Sequence, residues 1–313
     1  MSAKPGNTTL KHWHAPDYTA DRLAKDLGRS YARLSREAAR IDRDGYQRFV
    51  QKKGHKTRVF AAPSPWLKTI QRGLADHLFP HLPLSSHVYS RNGRDVVQNA
   101  RQHIGRPFRL TVDIADCFPS TTLAMVRSAL EDAELPRDVV GLVTRIVTYN
   151  GRLPQGSPCS PAVLDCVLYR LDESLARLAG EYGGVYSRFV DDLTFSADVP
   201  LVALRRRASK IVRSYGYTLR HEKTRSTGPG GFHTVTGIVV DSTLHAPRAY
   251  LNQLRHEISA FGRGRRSVHE RSLSGKIQWV GRVDRSDATT LQRHMTTAAA
   301  KRRRRGAGEG RTL

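Results

Sequence analysis

Cysteine is scarce: Cys117, Cys159 and Cys166 are the only three in 313 residues, with no C-x-x-C pair among them. Neither a disulfide framework nor a zinc site is suggested, and a reducing cytoplasm is the expected compartment. No stretch approaches the ~18 consecutive apolar residues of a membrane span. No apolar core follows Met1-Ser2-Ala3-Lys4-Pro5-Gly6, as a secretory leader would require. No repeat of fixed period is visible. Acid is also in short supply, with 28 Asp and Glu against 52 Lys and Arg, a formal charge of +24. A polyanion is the expected partner. An anionic membrane surface would call for one basic amphipathic helix or a lipidation signal, whereas here the basic residues spread along the whole chain. Nucleic acid is therefore favoured over membrane.

The length allows one large domain or two to three small lobes, with 39% hydrophobic residues to fill a core. Leu23, Leu27, Tyr31, Leu34 and Ala38 recur at spacings of three and four, which predicts an amphipathic helix over 18–41. Helical spacing returns at 66–79, 122–130, 137–147, 162–178 and 201–215. Arg58 to Pro63, Arg109 to Ile114, Val185 to Phe189 and Leu193 to Ser196 read as strands, and Thr234 to Val240 as a strand pair. Asn150-Gly151 is a turn signal, because both residues accept positive φ. His12 and His14 flank Trp13 in a polar segment read as solvated. The run Lys301-Arg302-Arg303-Arg304-Arg305 reads as a disordered basic tail, either simply solvated or in contact with RNA phosphates.

The acids repay closer attention. Val185 to Phe189 leads into Asp191-Asp192, and Leu193 to Ser196 leads away, so the pair sits at the end of a β-hairpin. Asp113 stands near the end of another strand. Nucleotide transfer uses two divalent ions about 3.5–4 Å apart, one activating the attacking hydroxyl and one steadying the leaving group. Magnesium, a hard ion, takes a few carboxylates plus water and phosphate oxygens. An Asp-Asp pair alone is common in solvated turns; apolar strands feeding it hold it rigidly.

Three segments carry a family resemblance. Phe189-Val190-Asp191-Asp192 resembles the Tyr-x-Asp-Asp box of reverse transcriptases. Asp113-Ile-Ala-Asp-Cys-Phe118-Pro-Ser resembles their first catalytic box, an aspartate with an aromatic residue five positions on. Leu153-Pro154-Gln155-Gly156-Ser157-Pro158 resembles the Pro-Gln-Gly box, in the expected order between them. Asn99-Ala-Arg-Gln-His103 and Val235-Thr236-Gly237 are similar to tracts of the retron enzymes in particular, although their hairpin generally reads Tyr-Ala-Asp-Asp. Read without the family, His103 is a hydrogen-bonded core residue and Val-Thr-Gly a strand ending in glycine.

The resemblance implies an α+β right-hand polymerase with fingers, a palm built on an antiparallel sheet, and a small thumb. It places a helical extension at 1–45, fingers and palm at 46–245, a thumb-like RNA-binding region at 246–300 and the basic tail at 301–313. Asp113, Asp191 and Asp192 would be catalytic and hold two Mg2+ ions, with Mn2+ as a substitute and Asp192 the weaker ligand. Asp116, in the same box, would be solvated or behind the ligands. Arg58 would grip the triphosphate, unless it belongs to a solvated basic strand; Gln155 and Gly156 would hold the incoming nucleotide; Lys223 would pass a proton to pyrophosphate, unless it is an ordinary surface lysine. Phe118 is either a ring beneath the sugar that rejects a 2′-hydroxyl or a core phenylalanine. Asn99, His103, Arg248, Arg255, Arg265 and Arg266, with Arg263 beside them, would contact RNA.

The partners implied are a cognate non-coding RNA and its cDNA, dNTPs and a separate effector protein, without a membrane. Synthesis would start from a guanosine 2′-hydroxyl and give a branched RNA–DNA product used in anti-phage defence. Two alternatives stay open: another bacterial defence or group II intron-like reverse transcriptase, and a non-catalytic RNA-binding component of a toxin–antitoxin complex. Three concentrated acids speak against the last.

Overall fold

A computed structural model describes residues 15–53, 56–231, 233–265 and 267–309, with side chains at 52–53, 56–58 and 306–309 left aside. The chain begins with α1 (Ala20–Asp26), α2 (Tyr31–Ala39) and α3 (Ile41–Asp44). A hairpin of β1 (Tyr46–Lys53) and β2 (Lys56–Pro63) follows, then α4 (Pro65–His77), α5 (Val96–Arg101) and β3 (Phe108–Ile114). Next come α6 (Cys117–Ser120), α7 (Leu123–Asp132), α8 (Arg137–Val147), α9 (Ser160–Val167) and α10 (Tyr169–Gly180). The strands β4 (Val185–Phe189) and β5 (Asp192–Ala197) precede α11 (Val202–Ser214) and β6 (Leu219–Thr227). Three short strands, β7 (Thr234–Val235), β8 (Ile238–Val240) and β9 (Leu244–His245), lead to α12 (Arg248–Gly262), α13 (Glu270–Val283) and α14 (Arg285–Glu309). This is the α+β composition expected from the sequence.

Two compact units divide the chain. The first takes Met1–Val88, Ile114–Leu175 and Ala208–Arg220; the second takes Tyr89–Asp113, Ala176–Arg207 and His221–Leu313.

In the first unit, the helix expected over 18–41 is broken into three. Gly28 turns the chain at a φ of +67°, and Ser30 Oγ accepts from the Arg33 amide to start a new helix. Most of the apolar stripe survives the break, with Leu23, Leu27, Leu34 and Ala38 buried, but Tyr31, at the start of α2, is 43% exposed. Helix α8 matches its expected span and buries Val139, Val143, Ile146 and Val147. The helix expected over 162–178 is interrupted at Leu168, which ends α9. Asn150 and Gly151 form the expected turn, with φ of 49° and 72° and mutual bonds between Tyr149 and Arg152.

The second unit is built on a sheet of order β4-β5-β3-β6, with β5 antiparallel to both β3 and β4. From Leu193 to Ala197, β5 is buried without alternation, so both faces of this central strand are covered. Thr236 and Gly237 have φ of 48° and 81°, so Val-Thr-Gly is a two-residue hairpin turn between β7 and β8 rather than a strand ending in glycine. Val235, Ile238 and Val240 pack with Val97 and Ala100 of α5. The three C-terminal helices enclose Leu251, Leu254, Ile258, Leu273, Ile277, Leu291 and Met295.

The run 301–305, expected as a loose tail, instead continues α14. Arginine and lysine are good helix formers, and Arg302 anchors the run by laying its guanidinium 4.5 Å from the Phe261 ring centroid.

Candidate active site

Strand register brings the acids together. In the β3–β5 ladder Asp113 lies directly opposite Asp192, and Asp191 occupies the two-residue turn between β4 and β5. Like charges opposite one another on a sheet are destabilising, so this arrangement is not explained by the sheet. One carboxylate oxygen from each of Asp113, Asp191 and Asp192 falls within 4.8 Å of the others. Asp113 is only 3% exposed. Burial of the Asp192 carboxyl, reinforced by the negative charges of Asp191 and Asp113, pushes its pKa up to about 6, although Lys223 pulls the other way. The residue as a whole is exposed, while one of its carboxylate oxygens lies among those of the other two acids.

Part of that charge is already balanced. Lys223 on β6 donates its ammonium to Asp113 Oδ2. The remaining donor set is three hard carboxylates, which suits a divalent cation such as Mg2+ or Mn2+ better than a soft one. A cation would relieve the repulsion that adds to burial in raising the Asp192 pKa.

The turn that presents these acids is strained. Val190 has a φ of +58°, a region in which a β-branched side chain is an outlier, at a cost of about 1–3 kcal/mol. The Val190 amide donates to Ser90 Oγ at 3.0 Å, and Arg188 Nη1 donates to the Val190 carbonyl at 2.9 Å. Arg188 is 0% exposed. Neither Ser90 nor Arg188 emerges from the sequence reading; the signal available was a charged residue inside the short strand that leads to the acids.

Phe118 is half-buried on α6 in the first unit. Asp116, just before it, takes a left-handed φ of 45° and pairs with Arg220 at 3.0 Å, which makes it an ion-paired acid at the edge of its box. The Gln155–Gly156 loop is also in the first unit and is firmly held. Ala61 of β2 donates its amide to the Gln155 carbonyl at 3.0 Å. Ser157 Oγ donates to Gln71 Oε1 at 2.8 Å, and Gln71 in turn donates to the Ile146 carbonyl at 3.0 Å. Arg58 falls on β2, paired with Gln51, but its side chain lies outside the described residues.

Two of the residues assigned to RNA contact are corrected by their burial. Asn99 is 1% and His103 0% exposed, so neither side chain reaches a ligand surface. His103 Nδ1 and Nε2 bond Ser196 Oγ and Ser187 Oγ, each at 2.7 Å. Burial, then the charge of Arg109, lowers its pKa to about 3, so the ring is neutral. Arg109, missed from the sequence, is itself buried and donates to the carbonyls of Val240, His103 and Arg106 at 2.8, 2.8 and 3.0 Å. Within the Asn-Ala-x-x-His tract it is thus His103 that ties the end of α5 to β4 and β5. Arg248, Arg263 and Arg265 are exposed, while Arg255 is half-buried and donates to Asn252 Oδ1 at 2.9 Å. Arg266 lies outside the described residues. No helix among the described residues is long and apolar enough to cross a membrane.

Comparison with known proteins adds an independent line. Residues 50–245 match the family model described as reverse transcriptase (RNA-dependent DNA polymerase). The chain is 31% identical to the Retron Mx65 reverse transcriptase of Myxococcus xanthus, over 92% of this chain and 74% of that protein. It is 30% identical to the Retron Ec86 reverse transcriptase of Escherichia coli, over 75% of each. With the Retron Mx162 reverse transcriptase of Myxococcus xanthus it shares 29% identity over 82% of this chain, spanning 61% of that relative's length.

Proposed function

The chain belongs to the retron reverse transcriptases, RNA-directed DNA polymerases of right-hand fold, and on that premise we propose that it copies a structured non-coding RNA encoded beside it into a branched RNA–DNA molecule. The observation that carries the reading is the convergence of Asp113, Asp191 and Asp192 within 4.8 Å at the ends of the largely buried strands β3, β4 and β5. These three would hold two Mg2+ ions. Bound there, the ions would activate the attacking hydroxyl and neutralise the triphosphate leaving group.

The chain's own groups then divide the remaining work. Asp113 and Asp191 are the principal ligands, with Asp192 beside them. Lys223, whose ammonium pairs with Asp113, would pass a proton to the departing pyrophosphate. Arg58 grips the triphosphate, for which a guanidinium fork is suited. Gln155 and the backbone at Gly156 seat the incoming dNTP, and Phe118 blocks a 2′-hydroxyl. Residues 46–245 act as fingers and palm and 246–300 as thumb, with Arg248, Arg255, Arg265 and Arg266 on RNA phosphates. Helical RNA is recognised largely by shape and backbone, which suits scattered arginines. Synthesis begins from a guanosine 2′-hydroxyl. The enzyme acts in the cytoplasm with a separate effector protein, in defence against phage.

The test is to purify the protein from cells carrying its neighbouring locus and to sequence the nucleic acid that comes with it. Branched RNA–DNA of one RNA species is expected. Linear cDNA from many RNAs would instead favour another class of bacterial reverse transcriptase. Asp191→Ala combined with Asp192→Ala should abolish primer extension and leave RNA binding nearly intact; retained extension would sink the metal-site assignment.

A further inference from the structure

We propose that Ser90 and Arg188 are positioning residues of the polymerase site: they hold Val190 in its left-handed conformation and so fix where the carboxylates of Asp191 and Asp192 stand. This rests on reading the three aspartates as the divalent-cation site.

The turn is short enough for one dihedral to matter. Phe189 and Asp192 pair across it, leaving only Val190 and Asp191 in the loop. Positive φ at the first loop residue is the geometry for which hairpins use glycine. Here the residue is valine, among the least suited side chains for φ of +58°. Such a conformation persists only where the surroundings over-determine it.

The surroundings do so from one short segment and one buried side chain. The Tyr89 amide donates to the Arg188 carbonyl at 2.9 Å, aligning residues 89–90 with the end of β4. Ser90 Oγ then accepts the Val190 amide at 3.0 Å. From the other side, Arg188 Nη1 donates to the Val190 carbonyl at 2.9 Å. Both peptide groups that flank the Val190 α-carbon are therefore held, and the second of them leads directly into Asp191. If the turn relaxed to negative φ, that peptide would swing and carry Asp191 away from Asp113. The complete burial of Arg188 supports the same conclusion. A buried guanidinium contributes nothing to solubility, and its planar fork cannot be copied by lysine.

The clamp can be separated from mere folding because Ser90 is only half-buried and Ser90→Ala removes a single hydroxyl. The experiment uses the full chain with its bound nucleic acid. Mn2+ binding is measured by water-proton relaxation, with the Asp191→Ala, Asp192→Ala protein as baseline, alongside the Mg2+ dependence of primer extension and the melting temperature. Ser90→Ala should weaken aspartate-dependent Mn2+ binding about ten-fold, the lower range for losing a group that orients a metal ligand. Its Mg2+ requirement should rise in parallel while its melting temperature stays near wild type. Arg188→Lys should move in the same direction; should it fail to fold, Ser90→Ala still decides the matter.

Glycine supplies the decisive control. In a Val190→Gly background, where positive φ carries no penalty, Ser90→Ala should have no further effect on Mn2+ binding. Unchanged Mn2+ affinity in Ser90→Ala, or an undiminished loss in the glycine background, overturns the clamp while leaving the aspartate site intact. If wild type and baseline bind Mn2+ equally, the aspartate reading itself falls, and the clamp with it.

Discussion

A β-carbon placed on Gly156 would stand 2.7 Å from the carbonyl oxygen of Ala61. Backbone, unlike a side-chain tip, cannot step aside, and Gly156 also holds a φ of +129° that other residues rarely adopt. The glycine in the Pro-Gln-Gly box is therefore required by strand β2 passing over it, before any nucleotide is considered. Gly156→Ala is expected to destabilise the protein by about 1–3 kcal/mol, read as a lower melting temperature without nucleotide present. Unaltered melting with weaker dNTP binding would return this glycine to a purely nucleotide-binding role.

The buried imidazole of His103 makes a pH prediction. Its folded-state pKa of about 3 lies below the ordinary 6.5, so the unfolded chain takes up the proton first. Stability is then full above about 6.5 and falls as pH drops toward about 3, by up to ~1.4 kcal/mol per pH unit from this group. His103→Gln should be less stable at pH 8, having lost a bond to Ser187 or Ser196, but should show a shallower acid limb in urea titrations from pH 8 to 4. RNA affinity of the folded variant at neutral pH should match wild type; a large loss would put His103 back at the ligand.

These two residues also mark how far the sequence could be read. The three boxes and their order were legible because nucleotidyl transfer demands acids at rigid strand ends, and such runs are short and recognisable. The strand register that sets Asp113 against Asp192 was not legible, since a strand does not state its partner. Gly28 and Leu168 divided two helices whose apolar spacing continues across the break, so periodicity alone missed both interruptions. Arg188 and Arg109 escaped notice because a buried arginine and a solvated one look alike until the covering elements are known. The same blindness sent Asn99 and His103 to an RNA surface instead of the core. Lys301 to Arg305 read as a free tail because the ring of Phe261 that anchors it lies some forty residues earlier.

Desolvation of the Asp192 carboxyl, with the charges of Asp191 and Asp113 added to it, predicts a gain of stability on removing that acid. Because its carboxyl is held up at about 6, Asp192 keeps its proton more tightly in the folded state than in the unfolded one. Its contribution to stability therefore declines as pH rises from about 4 through about 6, and at pH 7 without metal it opposes folding. Asp192→Asn should raise the metal-free melting temperature at pH 7. Millimolar Mg2+ should stabilise wild type more than the variant. A lower melting temperature in metal-free Asp192→Asn would show that the repulsion is compensated elsewhere.

For Phe118, half-buried beside the ion-paired Asp116, the two readings separate cleanly by experiment. Phe118→Ala should increase ribonucleotide incorporation in a competition between rNTP and dNTP, with little change in melting temperature. Loss of stability with unchanged sugar selectivity would make it a core residue.

The basic end of α14 should divide into two kinds of residue. Arg302 is half-buried over Phe261, whereas Lys301, Arg303 and Arg304 are exposed. Removing Arg302 takes away packing area and a cation–π contact of about 0.5–1 kcal/mol. Removing the other three takes away only charge that can meet phosphate. Arg302→Ala should thus lower the melting temperature. Simultaneous Lys301→Gln, Arg303→Gln and Arg304→Gln should leave melting unchanged and weaken RNA binding. The decisive measurement is the salt dependence of that binding, since each phosphate contact contributes about 0.7–0.9 to the slope of log K against log salt. A slope smaller by about 2 to 3 in the triple variant places these side chains on phosphates, and an unchanged slope leaves them as solvated charge on an exposed helix.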